Sequence, residues 1–148
     1  MSDSLNKEDD RGLRTEDVRW KQRFSNYKKA LATLRRGLQS INKDDDEFRK
    51  LGIIQSFEFT QELSWKLMRD FIMYSGGGEH IYGSKDAVRQ ALSRGLISDG
   101  ETWMDMIASR NESSHLYDEL AALEVFCKIK GNYLPCFSAL EETLNALE

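Results

Sequence analysis

Trp20-Lys21-Gln22-Arg23-Phe24-Ser25-Asn26-Tyr27-Lys28-Lys29-Ala30-Leu31-Ala32-Thr33-Leu34-Arg35-Arg36-Gly37-Leu38 is the stretch that decides the fold of this 148-residue chain. Its large apolar side chains are Trp20, Phe24, Tyr27, Leu31, Leu34 and Leu38, and Ile41 follows in step. They recur at alternating intervals of four and three, which places them on one stripe of a long α-helix. Asn42 to Asp46 then interrupt the pattern as a turn. A second stripe follows on a helix from about Glu47 to Tyr74, made of Ile53, Phe57, Thr60, Ser64, Leu67 and Phe71. Trp65, Met68 and Ile72 widen it, so this helix is expected at the centre of a bundle.

Gly76-Gly77-Gly78 ends the second helix, because successive glycines carry the largest backbone entropy. Ser84 is a candidate cap for a short helix to about Arg94, with Gly95 as its stop. Asp99 or Thr102 can start the next helix, which runs through Trp103 and Ile107 to Arg110. Ser113 or Ser114 can cap a further helix that Gly131 stops near Lys130. Tyr133, Phe137, Leu140, Leu144 and Leu147 repeat the four-three interval on a last helix, with Pro135 in its first turn. No segment alternates as a strand does. The expected fold is all-α, an up-and-down bundle of five or six helices.

Outward from this core, residues 1–15 are polar and charged and read as a disordered tail, leaving 16–148 as the bundle domain. A formal net charge of −4 argues against a general nucleic-acid coat protein, so any RNA contact has to be local. The cations Lys21, Arg23, Lys28, Lys29, Arg35 and Arg36 lie along the first helix and suit a solvated face or the steering of RNA. Cys127 and Cys136 are too few for a disulfide framework, and with His80 and His115 they show no zinc spacing; no metal or cofactor is expected. Without a signal peptide or long apolar run, the reading is a reduced, cytoplasmic protein with no membrane partner.

The chemistry concentrates in Arg110-Asn111-Glu112-Ser113-Ser114-His115-Leu116-Tyr117. Arg110 follows Trp103, Met106 and Ile107 by seven, four and three residues, so it sits on the apolar face of its own helix. An unpaired guanidinium there is costly, and a carboxylate or a ligand phosphate should meet it. On one straight helix Arg110 and His115 diverge by about 140°; a break at the serine pair lets them converge. Imidazole, guanidinium and free helix N–H groups around one phosphate are the parts of metal-free phosphodiester cleavage, with the RNA 2′-hydroxyl as nucleophile. The plainer alternative makes Arg110 a structural ion pair, His115 a capping residue and Tyr117 ordinary core. Gln55, Glu58, Glu62 and Arg69 form one stripe of the second helix and are the pairing candidates for Arg110, or else a solvated face. His80, beside the glycine run, reads as a loop surface residue.

Several segments together resemble one family. They are Arg19-Trp20-Lys21-Gln22-Arg23-Phe24-Ser25-Asn26-Tyr27, the run from Gly52 to Lys66, Gly95-Leu96-Ile97, and the segment from Trp103 to Tyr117. The likeness is to the nucleotidyltransferase substrate-binding family of the HEPN superfamily, over about residues 18–147. It implies a homodimeric helical bundle paired with a minimal nucleotidyltransferase, with RNA or a nucleotide as its ligand. One reading of the family is a non-catalytic subunit that holds substrate for that transferase. The other is a toxin, a metal-independent endoribonuclease whose motif is Arg, four to six residues, then His. That motif falls on Arg110 and His115, with Asn111 as the polar residue after the arginine and Glu62 as a supporting carboxylate. His115-Leu116-Tyr117 fits the extended motif in which the transferase neutralises the toxin by adding AMP to the tyrosine, so Tyr117 is the modification candidate. A bulky anionic adduct there would block the cleft and occupy Arg110 by charge.

Overall fold

The computed structural model describes residues 2–41, 47–77, 80–113 and 119–148, and all of its regular structure is helical. Helix α1 spans Ser2–Ser40, α2 Glu47–Tyr74, α3 Ser84–Ser93 and α4 Gly100–Ser113. Helix α5, Glu119–Lys128, continues through a π-helical turn, Ile129–Tyr133, into α6, Leu134–Leu147. The turn expected at Asn42 to Asp46 lies outside the described residues.

The α1 stripe packs as its spacing requires. Trp20, Phe24, Tyr27, Leu31, Leu34 and Leu38 are all buried, and Ile41 packs at the edge of the same core. Each such side chain contributes roughly 1.5–3 kcal/mol by leaving water. α1 and α2 form an antiparallel pair: Trp20 meets Phe71 edge-on at 5.0 Å, while Gly37 lies against Ile53 at the other end. Helix α2 packs against α1, α3, α4 and α5, the central position its broad apolar stripe calls for. α6 closes the bundle against α1, where the Tyr27 hydroxyl donates to the Phe137 carbonyl at 2.7 Å and Arg35 reaches Glu141 at 3.1 Å.

Helix ends follow glycine and aspartate chemistry. Gly76 (φ +89°) and Gly95 (φ +75°) take the left-handed conformation after α2 and α3. In each case the next N–H, of Gly77 or Leu96, bonds a carbonyl five residues back, at Ile72 or Ala91. Asp99 caps α4: its carboxylate accepts from the Thr102 N–H at 3.1 Å and the Thr102 hydroxyl at 2.7 Å. Ser84 is the first residue of α3 rather than its cap; Gly83 occupies that place, and the Asp86 carboxylate accepts from the Tyr82 N–H at 3.0 Å.

α1 is helical from Ser2, in a stretch with no proline and one glycine whose Lys, Glu, Arg and Leu residues favour helix. One expectation is corrected by the backbone: Gly131 does not stop a helix. The Leu134 N–H bonds the Ile129 carbonyl, and the chain stays right-handed helical through Lys128, Tyr133 and Leu134. A proline in an α-helix clashes with the carbonyl four residues back, which for Pro135 is Gly131; the wider π turn makes room for it without a break.

Candidate functional site

Arg110 stands in the last turn of α4, one step beyond the buried residues Trp103, Met106, Ile107 and Ser109. A cation there complements the negative end of the helix dipole. Its side chain keeps 32% of its exposure, yet its Nε is buried and has no hydrogen-bond partner among the described residues. The carboxylate expected to meet it comes from α2: Glu58 Oε2 lies 3.6 Å from Arg110 Nη1. This is an ion pair at loose range, longer than a charge-assisted hydrogen bond.

The same carboxylate holds a second group. Ser113 donates to Glu58 Oε1 at 3.0 Å and also lies 2.9 Å from the Arg110 carbonyl. Ser113 is therefore the last residue of α4, tied back to α2, and not the cap of the following helix. Glu62, one turn further along α2, is bonded within its own helix, to Trp65 Nε1 at 3.1 Å and Lys66 at 3.2 Å. Partial burial pushes its carboxyl up, but those hydrogen bonds and the Lys66 and Arg110 charges outweigh it and hold the group below the usual carboxylate range. Glu62 thus shares Arg110's electrostatic neighbourhood while Glu58 makes the contact. Gln55 is exposed, and Arg69 stacks over Trp65 at 5.3 Å and pairs with Asp70. The stripe is therefore not a uniformly solvated face.

Behind Arg110 lies a polar cluster that sequence spacing did not reveal. The Tyr133 hydroxyl donates to Asp105 Oδ2 at 2.6 Å. With its one proton committed to a carboxylate, it accepts from the Ser109 hydroxyl at 2.5 Å. Lys128 reaches the same Asp105 oxygen at 3.5 Å. Burial, then the Asp105 contact, push the Tyr133 phenol well above its ordinary pKa, so it stays protonated. The available signals were Asp105 and Ser109 one helical turn apart, and a tyrosine inside the Gly131–Pro135 irregularity.

Asn111 is exposed beside Arg110. His115 and Tyr117 lie outside the described residues, as does Ser114. α4, Gly100–Ser113, and α5, Glu119–Lys128, flank that segment. His80 is exposed and meets Tyr82 edge-on at 4.6 Å. Cys127 is exposed and Cys136 buried, both as free thiols. Among the described residues no group of three or more His, Cys, Asp or Glu is placed to hold a metal ion, and no helix is long and apolar enough to cross a membrane. The α1 cations divide: Arg23 and Arg35 are committed to Asp70 and Glu141, and Lys28 lies 4.3 Å over the Phe24 ring.

Residues 22–146 match the family described as nucleotidyltransferase substrate binding protein like. The chain belongs to that family. A Haemophilus influenzae relative, named "Probable ribonuclease HepT", is 42% identical over 96 residues, 62% of this chain. That alignment spans 64% of the relative, slightly under two thirds of its length. A solved Thermus thermophilus structure superposes with a TM-score of 0.66 at 27% identity, covering 81% of this chain and 96% of the other. A Haemophilus influenzae structure described as revealing the fold of a substrate binding domain of a nucleotidyltransferase gives a TM-score of 0.62 at 30% identity. It covers 90% of this chain and 98% of its own. Glu58, Arg110 and Tyr133 all fall within the family match. Chemically, this arrangement offers a partly exposed cation at a helix end whose Nε is without an acceptor among the described residues, which suits an anion.

Proposed function

We propose that this chain is a HEPN-type, metal-independent endoribonuclease, the toxin of a toxin–antitoxin pair with a minimal nucleotidyltransferase. The observation that carries the reading is Arg110, half-buried at the end of α4, with, among the described residues, one loose carboxylate contact and a buried Nε–H that has no acceptor. A phosphodiester oxygen meets the exposed part of the guanidinium, whose side chain is 32% exposed, and brings a closer charge than the loose Glu58 contact. The RNA 2′-oxygen attacks the adjacent phosphorus and the bond to the 5′-oxygen breaks. The products are a 2′,3′-cyclic phosphate and a 5′-hydroxyl. His115 takes the proton from the 2′-hydroxyl and returns one to the leaving oxygen, while Arg110 stabilises charge on the phosphoryl oxygens. Asn111 and Glu62 support the site. The protein acts in the cytoplasm as a homodimer whose two Arg110–His115 sites face one cleft. The partner transferase neutralises it by moving AMP onto Tyr117.

The test is incubation of purified protein with total and transfer RNA in excess chelator, beside His115→Ala. Cleavage leaving cyclic phosphate ends, lost in the variant, is the expected result; undiminished cleavage by His115→Ala removes the catalytic claim. Mass spectrometry after co-expression with the transferase should find AMP on Tyr117, and an adduct that persists in Tyr117→Phe would place it elsewhere. A second reading has its own support in the solved relative described as a substrate binding domain of a nucleotidyltransferase. There Arg110 holds a nucleotide phosphate for the partner and cuts nothing, and absence of cleavage by AMP-free protein would favour it.

A further inference from the structure

Arg110 and Glu58 approach each other from different helices, and each is preceded in sequence by a residue that touches Tyr133. Ser109, just before Arg110, donates to the Tyr133 hydroxyl at 2.5 Å. Phe57, just before Glu58, stacks on the Tyr133 ring at 5.3 Å with the planes 20° apart. One side chain thus braces the backbone beneath both members of the pair. We propose that Tyr133 is a positioning residue for Arg110, setting where the guanidinium meets a phosphate; this rests on the reading of Arg110 as the phosphate-binding group.

The device depends on the π turn. Ile129–Tyr133 is wound wider than α-helix, and Tyr133 is its last residue, so the extra residue shifts the phase at which its ring leaves the helix axis. Its hydroxyl bonds Asp105 and Ser109, which are one turn apart on α4, and Lys128 grips Asp105 from the other side of the π turn. The last turns of α4 are therefore held at 105, at 109 and, through Glu58, at 113. Tyr133 is fully buried and its proton is already committed to a carboxylate, so it is not a reacting group in this arrangement. A core-filling aromatic would need only the ring. The hydroxyl and its two α4 partners are what call for a further role.

Tyr133→Phe keeps the ring and the Phe57 stack and deletes only the hydroxyl. The expected result is a fall in kcat for RNA cleavage of about ten- to a hundredfold with KM within about twofold, the pattern of a misplaced transition-state contact. The companion readout needs no activity: the Arg110 Nε–H resonance, assigned by its loss in Arg110→Lys, should move in Tyr133→Phe. A filler role would lower the melting temperature and leave that resonance in place. An unmoved resonance in the folded variant overturns the proposal whatever the activity. So does a moved resonance with kcat unchanged in an active enzyme. If the wild-type protein cuts no RNA, the ribonuclease reading fails and the resonance alone decides the positioning role. Should Tyr133→Phe not fold, Ser109→Ala is read in the same way, because it removes one α4 partner and leaves the Tyr133–Asp105 bond.

Discussion

Replacing Glu58 by Gln should destabilise the bundle more than replacing Arg110 by Met, although both changes break the same ion pair. At 3.6 Å the two charges attract by about 4–5 kcal/mol in a medium of effective dielectric ~20. The guanidinium is about a third exposed, and both groups lose hydration, which reduces the net worth of the pair to about 1–2 kcal/mol. Glu58→Gln keeps an acceptor for Ser113 and the same shape, so it removes charge alone. It leaves a half-buried cation whose Nε–H already lacks a partner among the described residues, and about 1–2 kcal/mol should be lost, or about 2–6 °C in Tm for a chain of this size. Arg110→Met loses the pair too, but it also removes that buried unpaired donor, a liability of about 1–3 kcal/mol. The two effects nearly offset, and the variant should fall within about 1 kcal/mol of wild type. Urea unfolding of both single variants and the double variant, followed by circular dichroism at low salt and pH 7, gives the comparison and the coupling energy. If Arg110→Met is at least as destabilised as Glu58→Gln, the reasoning fails. Arg110 would then be anchored for the sake of the fold, which is the structural ion-pair alternative.

Two further outcomes are expected elsewhere. Hydrogen bonds from the Thr102 side chain and backbone hold the Asp99 carboxyl below the usual range. Because its folded pKa lies below the unfolded one, this stabilisation is complete above the ordinary carboxylate range and disappears as pH falls through the lower value. Asp99→Ala should therefore melt below wild type at pH 7, with the gap closing as pH falls below the ordinary carboxylate range; a gap independent of pH would show that the charge is not its source. Asp70 is 2% exposed between Arg23 at 3.0 Å and Arg69 at 3.2 Å. Asp70→Ala should lose about 2–4 kcal/mol in equilibrium unfolding, and a loss under about 1 would mean both arginines reach solvent freely.

The helices were legible because their signal is local and repeated. Six apolar residues at four-three spacing on α1, with Ile41 following in step, require a buried stripe, and the glycines after α2 and α3 end those helices by a conformation open mainly to glycine. The join of α5 and α6 was not legible, and the reason is competition between equal local signals. Gly131 and Pro135 each favour a boundary, yet Ile129, Tyr133, Cys136 and Phe137 are all buried on one continuous face. Tertiary burial of that face outweighs the propensity of two residues, and the π turn absorbs the proline.

The site divides along the same line. That Arg110 must meet an anion followed from its place on an apolar stripe, because an unpaired cation there is costly wherever its partner comes from. Which anion meets it depends on the rotation of α2 against α4, which no spacing within either helix encodes. Glu58 and Glu62 lie one turn apart and are equivalent by periodicity; the structure separates them through Ser113, which reaches only the first, and through Trp65 and Lys66, which occupy the second. Tyr133 was legible only as core, since a ring at the right interval accounts for its burial. The role argued for it here depends on its hydroxyl meeting two α4 side chains, a contact made across 24 residues to Ser109 and 28 to Asp105. The proposed placement of Arg110 is therefore carried by side chains whose own helix has no local need of their polar atoms. It is those atoms, rather than the apolar stripes, whose removal should separate function from fold.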